Sequence, residues 1–326
     1  MRLARRKFLQ VAGASVAAPA FSRVATAQTY PIRPITMIVP FATGGPTDVI
    51  SRIVAERMRK SLGQPIIVEN VTGAEGGIGV GRAARARPDG YTIDVGFIGT
   101  HVLNGAFYSL PYNVLTDFAA ISPLVTSPGF LFARKALPAG DMSELIAWLR
   151  ANPNKASWGF ASTSARLLAA LLRKETGTQF SLVPYRGIVP AVQDLVAGQI
   201  DLLIGTPDHL PLMQAGSIKA YAVTSDTRLT LAPDIPTFAE MGLPALSFSA
   251  WYGLFAPKDT QRDIIGKLNA ATVEALADPT VRSRLANLGL EIFPREQQTP
   301  DALAARVTAD AEKWWPIIKE LGIKAE

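Results

Sequence analysis

A repeated rhythm constrains this chain more than any other feature. Short β-branched or apolar runs end in loops rich in glycine, proline or hydroxyl side chains, and each loop opens an amphipathic stretch. Ile35-Thr36-Met37-Ile38-Val39 is the first such run and reads as a buried strand ending at Pro40. Beyond the loop, Val49, Ile50, Ile53, Val54, Met58 and Leu62 share one helical face and Arg52, Glu56, Arg59 and Lys60 the other, with Gly63 as the stop. Pro46 suits the first position of that helix. Ile66-Ile67-Val68 is a second strand, residues 73–81 form a glycine-rich turn into a short helix, and Tyr91 to Phe97 is a third strand after the turn Pro88-Asp89-Gly90. Alternating strands and helices predict a parallel sheet with helices on its faces.

The middle of the chain repeats the pattern. Strands are expected at Phe130–Ala133, Trp158–Ala161, Phe180–Pro184, Asp201–Ile204 and Ala220–Thr224, separated by helices at Met142–Ala151, Ala165–Glu175 and Pro190–Ala197. A polar stretch follows over residues 225–244. Phe248 to Phe255 is aromatic and strand-like, and the remainder is helical over Arg262–Ala277, Pro279–Leu288 and Pro300–Leu321. Two sheets, and so two domains, suit a chain of 326 residues.

The N-terminus is of another kind. Arg2 to Lys7 is charged, Phe8 to Phe21 is apolar, and Ala25-Thr26-Ala27 offers a small-residue cleavage site before Gln28. The apolar run falls short of the roughly 20 residues that span a bilayer. Residues 1–27 therefore read as a cleaved export signal, and Arg5-Arg6-Lys7-Phe8-Leu9 resembles a twin-arginine signal. Of the net charge of +6, this segment carries +5, so the remaining chain is left with +1. That balance argues against a nucleic-acid surface. No later run is long and apolar enough for stable membrane insertion. The sequence has no cysteine and only two histidines, His101 and His209, which removes disulfides and thiolate chemistry and disfavours a zinc site.

The loop Thr43-Gly44-Gly45-Pro46-Thr47-Asp48 joins a strand to a helix N-terminus, whose first amides lack internal partners and carry partial positive charge. It is a candidate anion cradle. The alternative is a glycine turn with Thr47 or Asp48 capping the helix. No Walker lysine follows, and the Asp48 charge disfavours phosphate. The glycines of residues 73–79 do not fit a dinucleotide fingerprint. Ala161-Ser162-Thr163-Ser164, Pro184-Tyr185-Arg186-Gly187 and Gly205-Thr206-Pro207-Asp208 occupy similar junctions in the second half, with Ser164 the candidate helix cap in the first of them. Ligands of open parallel sheets sit at the carboxyl ends of strands. Polar loops in both halves therefore suggest two half-sites facing each other. Signatures of hydrolases, metalloproteases and metal sites are absent, and neither histidine has a catalytic companion in the sequence. Trp314-Trp315 reads as helix packing.

These residues resemble a known family. Tyr30-Pro31-Ile32-Arg33-Pro34-Ile35 and Ile38-Val39-Pro40-Phe41-Ala42-Thr43-Gly44-Gly45-Pro46-Thr47-Asp48 are similar to the opening of the Bug family, the extracytoplasmic solute receptors of tripartite tricarboxylate transporters. Further matches follow in order, among them Val68-Glu69-Asn70, Gly76-Gly77-Ile78-Gly79, Pro88-Asp89-Gly90-Tyr91-Thr92, Val183-Pro184-Tyr185-Arg186-Gly187 and Trp251-Tyr252-Gly253. The resemblance implies an α/β fold: a two-lobed, type II periplasmic binding protein, each lobe a mostly parallel sheet flanked by helices. Residues 28–125 and 248–326 would form one domain and residues 126–247 the other. It implies a receptor without catalytic residues, metal or cofactor. Such a receptor would capture a small carboxylate (a di- or tricarboxylate, an acidic amino acid or an aromatic acid) and deliver it, as a periplasmic monomer, to membrane permease subunits. A sensor docking on a membrane kinase, or an exported enzyme on the same scaffold, stays open. The expected ligand-binding set is Phe41, Ala42, Thr43, Gly44, Gly45, Thr47, Asp48, Gly77, Thr100, His101, Ser162, Thr163, Arg166, Tyr185, Thr206 and Asp208. Arg166 departs from the family, which often carries a histidine there. It would either reach a second acidic group of the ligand or face solvent.

Overall fold

The computed structural model describes residues 30–323, so the export signal expected in residues 1–27 lies outside the described residues. The first part of the chain runs β1 (Ile35–Val39), α1 (Pro46–Leu62), β2 (Ile66–Asn70), α2 (Gly77–Ala84), β3 (Thr92–Phe97), α3 (Asn104–Phe107) and β4 (Phe118–Pro128). The middle runs β5 (Phe130–Arg134), α4 (Met142–Ala151), β6 (Ser157–Phe160), α5 (Thr163–Thr176), β7 (Ser181–Pro184), α6 (Ile188–Ala197), β8 (Leu202–Gly205), α7 (Leu210–Gln214) and β9 (Ile218–Val223). The last part adds β10 (Ser249–Pro257), α8 (Arg262–Ala277), α9 (Pro279–Asn287), β11 (Glu291–Ile292) and α10 (Pro300–Glu320). The signals read from sequence act as expected at α1. Pro46 takes the first helical position, and Gly63 closes the helix at φ 67° with its amide donating to the Arg59 carbonyl. At α5 the cap is Ser162 rather than Ser164: its Oγ accepts from the Ala165 amide at 3.4 Å, and the helix starts two residues earlier than expected.

Two sheets result. One has strand order β11-β4-β10-β3-β1-β2, the other β7-β6-β8-β5-β9. Each is mixed rather than mostly parallel. β1 is parallel to β2 and β3, and β6 to β7 and β8, where helices make the connections. β10 is antiparallel to β3 and β4, and β5 to β8 and β9. The cause is the crossing between sheets. β4 leaves the first sheet and continues into β5 with only Gly129 between them, so the direction of β5 is set by the crossing and not by a helical return. The chain comes back between Val223 and Ser249, and β10 re-enters the first sheet beside β4, Ser249 opposite Pro128. Thr224 ties the two crossings. Its amide donates to the Gly129 carbonyl, its Oγ1 accepts from the Gly129 amide, and its carbonyl accepts from the Phe248 amide, each at 2.8 Å.

β4 has no clear signature in the sequence. Pro123 interrupts it, and its pairing with β10 slips on either side of Gly253 and Leu254, the irregularity that lets proline sit inside a sheet. Elsewhere the core follows the apolar pattern. α1 packs on α8, and α10 lies along β4. Trp251 is buried and donates from Nε1 to Asp310 Oδ2 at 2.6 Å. Trp314 is buried against Phe248, and Trp315 Nε1 donates to the Val102 carbonyl at 3.0 Å, so both members of the tryptophan pair act in packing. In the second sheet Trp158 is fully buried and stacks on Phe180 with centroids 5.3 Å apart. Trp158→Ala leaves a cavity there and is expected to cost about 3–5 kcal/mol of stability, measured by denaturant unfolding; a loss below about 1 kcal/mol would contradict this packing.

Candidate ligand-binding cleft

The loop between β1 and α1 is organised from behind by a buried carboxylate. Gly44 adopts φ 85°, a left-handed conformation suited to glycine, and its amide donates to Asp48 Oδ2 at 3.0 Å. Asp48 also accepts from Arg52 Nε at 3.0 Å and from Asn70 Nδ2 at 2.9 Å, and Asn70 Nδ2 holds the Phe41 carbonyl at 2.9 Å. Burial pushes the Asp48 carboxyl upward, but hydrogen bonds from Arg52, the Gly44 amide and Asn70 outweigh it and hold the group below its usual value. Asp48 thus fixes the loop and faces away from the cleft. Thr43 and Gly44 likewise support the loop without lining the cavity.

Three helices of different origin point their N-termini at one cavity of about 120 Å³: α1 of the first sheet, α5 and α6 of the second. α1 and α6 begin at Gly45 and Gly187, neither with a side-chain cap. The two starts meet across the cleft. A Cβ on Gly45 would lie 3.7 Å from Ile188 Cγ2, and one on Gly187 would lie 3.3 Å from the Ala42 Cβ. Uncapped helix amides converging from both sheets create positive potential without a cationic side chain. Among the described residues lining the cavity none is charged. Its walls are Phe41, Phe97, Phe248 and Tyr252 with Leu168 and Ile204, and the hydroxyl-bearing residues are Thr47, Ser127, Ser162, Ser164, Thr206 and Tyr252.

A second, polar cleft adjoins the first, and Phe41 and Ala161 line both. Here Arg166 donates from Nη1 to Glu75 Oε1 at 3.0 Å and to Tyr108 Oη at 3.3 Å, while Tyr108 donates to Glu75 at 2.5 Å. The guanidinium lies over Phe107 and Phe160. The Arg166 side chain is only 12% exposed, so the solvent-facing one of its two expected roles is overturned: a cross-sheet carboxylate and two rings hold it inward. Tyr185 lines this cleft and donates to Asp194 Oδ2 at 2.6 Å, away from the charge-free cavity.

Of the sixteen expected residues, Phe41, Ala42, Gly45, Thr47, Ser162 and Thr206 line the cavity. Several do not. His101 is fully buried, because residues 99–103 form a wide helical turn running into α3 rather than an open loop. The ring stacks on Phe255 at 4.0 Å, with Nε2 3.3 Å from Asp94 Oδ2. Burial lowers its pKa to about 3 and raises that of Asp94, which favours the uncharged pair. Thr100 is spent on the Phe97 backbone, and Thr163 donates across the sheets to Asn104 Oδ1 at 2.9 Å. Gly77 packs beside Ala74, Leu110 and Tyr112, and Asp208 sits beside His209, 3.4 Å from its Nδ1. The sequence reading missed Phe97, Ser127, Gly187, Ile188, Phe248 and Tyr252. Gly187 had a signal, the glycine ending the Pro184-Tyr185-Arg186 junction; Ser127 had none, since β4 itself was not recognised.

Two mixed sheets joined by paired crossings, closing a cavity between helix N-termini from both, define a two-lobed solute-binding protein. The chain belongs to the tripartite tricarboxylate transporter family receptors, which it matches over residues 50–323. It is 34% identical to Protein BugT of Bordetella pertussis over 98% of both chains. It is also similar to the periplasmic binding protein BugD, at 36% identity and TM-score 0.86 over 91% of this chain and 100% of that one. MatC from Rhodopseudomonas palustris with bound malate is 37% identical, at TM-score 0.85 over 89% of this chain and 100% of that one.

Asp48 gives the cleft a pH-dependent support. Its folded pKa lies below the ordinary 3.8, so its stabilisation is present above that value and is lost as pH falls through the folded one. Asp48→Asn is expected to lose about 1–3 kcal/mol at neutral pH, and the gap from the parent should shrink below about pH 4 in thermal melts. A gap that stays constant into strong acid would remove Asp48 from this role.

Proposed function

We propose that this protein is a periplasmic receptor that closes its two lobes on a small carboxylate and delivers it to the membrane subunits of a tripartite transporter. The observation that carries the reading is the meeting of the glycine-capped starts of α1 and α6 across the cleft. A carboxylate lying between them accepts from amides of both lobes at once, and these charge-assisted bonds require closure to form together. The malate bound by MatC supports an organic acid as ligand class. The export signal read in residues 1–27 supports the periplasm, and the lobes would divide as residues 28–125 with 248–326 and residues 126–247. The chain acts as a monomer without metal or cofactor. It binds rather than transforms its ligand: the one buried histidine–carboxylate pair, His101 and Asp94, has no access to the cleft.

Mass spectrometry of ligand released from the purified protein, followed by calorimetry with carboxylates, tests the reading directly. Gly45 has φ −78°, so a β-branched residue is tolerated by the backbone there, yet its side chain would enter the gap between the helix starts. Losing two charge-assisted hydrogen bonds at about 1.5–3 kcal/mol each corresponds to roughly 100-fold or more in affinity. Gly45→Val is therefore expected to abolish measurable carboxylate binding with the melting temperature nearly unchanged. Unaltered affinity would remove this loop from the site.

A further inference from the structure

Among the described residues lining the cavity, Ser127 carries a fully buried hydroxyl that the fold leaves unused. Ser127, next to last in β4 and opposite Ala250 of β10, is 1% exposed and lines the cavity. Its Oγ has no hydrogen-bond partner among the described residues. Another buried serine of the same strand behaves differently: Ser122 donates to the Pro123 carbonyl at 2.9 Å. Three other hydroxyls of the lining, those of Ser162, Ser164 and Thr206, are already engaged. Ser162 Oγ caps α5 and lies 3.0 Å from Ser164 Oγ, and Thr206 Oγ1 lies 3.4 Å from His209 Nδ1. A buried hydroxyl left unpaired in a native protein calls for an explanation, and a ligand atom is one.

The rest of the lining restricts what that ligand is. Rings and aliphatic side chains form most of the wall, and no lining residue is charged. The α1 and α6 starts take one carboxylate. A second would be stripped of water against apolar walls with no cation to meet it, a costly transfer. Arg166, Arg173 and Arg186 line the adjoining cleft and not this cavity, and Arg166 is paired with Glu75.

We propose that the cavity selects a monocarboxylate with an uncharged, apolar body bearing one hydroxyl or oxo group, which the Ser127 hydroxyl hydrogen-bonds from the crossing strand. The proposal rests on the carboxylate-receptor reading and narrows it. Calorimetry on ligand-free protein would compare a branched-chain oxo acid with its parent acid, hydroxybenzoate with benzoate, and all four with malate, adipate and citrate. The oxo or hydroxy monocarboxylates are expected to bind at least about tenfold more tightly than the di- and tricarboxylates. Ser127→Ala should weaken the oxo or hydroxy acids by roughly 5- to 20-fold and leave the parent acids unchanged. Its melting temperature without ligand should not fall, since no internal bond is lost. Malate, adipate or citrate binding as tightly as the monocarboxylates overturns the proposal while leaving the carboxylate reading intact. So does an equal effect of Ser127→Ala on both members of a pair, or none. Binding of no carboxylate at all overturns both.

Discussion

The molecule depends on the paired passage of the chain between its sheets. β4 runs directly into β5 through Gly129, β10 returns beside β4, and Thr224 ties the two passages with three hydrogen bonds. That arrangement fixes the antiparallel strands of both sheets and puts their strand ends on the two sides of one cleft. It also makes the floor of the cleft from the crossing itself: Ser127, Pro128 and Gly129 line the cavity together with Phe248 and Ala250 on the returning path. Both passages between the sheets run through these residues, so the floor of the cavity is built from the links between the sheets.

The cavity offers an anion backbone dipoles rather than side-chain charge. A buried cation would need a partner whenever the cleft was empty, and removing either member of such a pair is strongly destabilising. Helix amides carry their partial charge at no comparable desolvation cost and are fixed in direction by the helix. Asp48 shows how the cost of a real charge is avoided. Its carboxylate turns away from the cavity, is neutralised by Arg52, and uses the Gly44 amide and Asn70 to hold the loop in shape.

Much of this was legible in the sequence because it depends on local chemistry. The glycines and proline of residues 44–46, the apolar stripe of α1 and the glycine ending that helix all act through the residue's own conformational preference, so the loop on the first sheet's side of the cavity could be read. What escaped depends on distant pairing. β4 is an 11-residue strand with proline inside it, recognisable only once β10 supplies the partner and the irregular register. Ser127 was lost with it. His101 failed for a related reason: the loop expected after β3 winds into a helical turn and carries the ring into the core, where it stacks on Phe255 and approaches Asp94. Gly96 accommodates that ring, since a Cβ there would collide with His101 Nδ1.

Arg166 pairs with Glu75, 91 residues away in sequence, a contact that no local pattern announces. Glu75, Tyr108 and Arg166 form one hydrogen-bonded group across the cleft, joined by Thr163 on Asn104 and, further along α5, by Lys174 on Glu320. These contacts all connect the second sheet's helix α5 to elements of the first. They hold the elements of the two sheets together without any ligand, since none of the residues involved lines the cavity. In the proposed receptor, discrimination between ligands would therefore come from the cavity lining, and the α5 contacts would bias closure equally for every ligand.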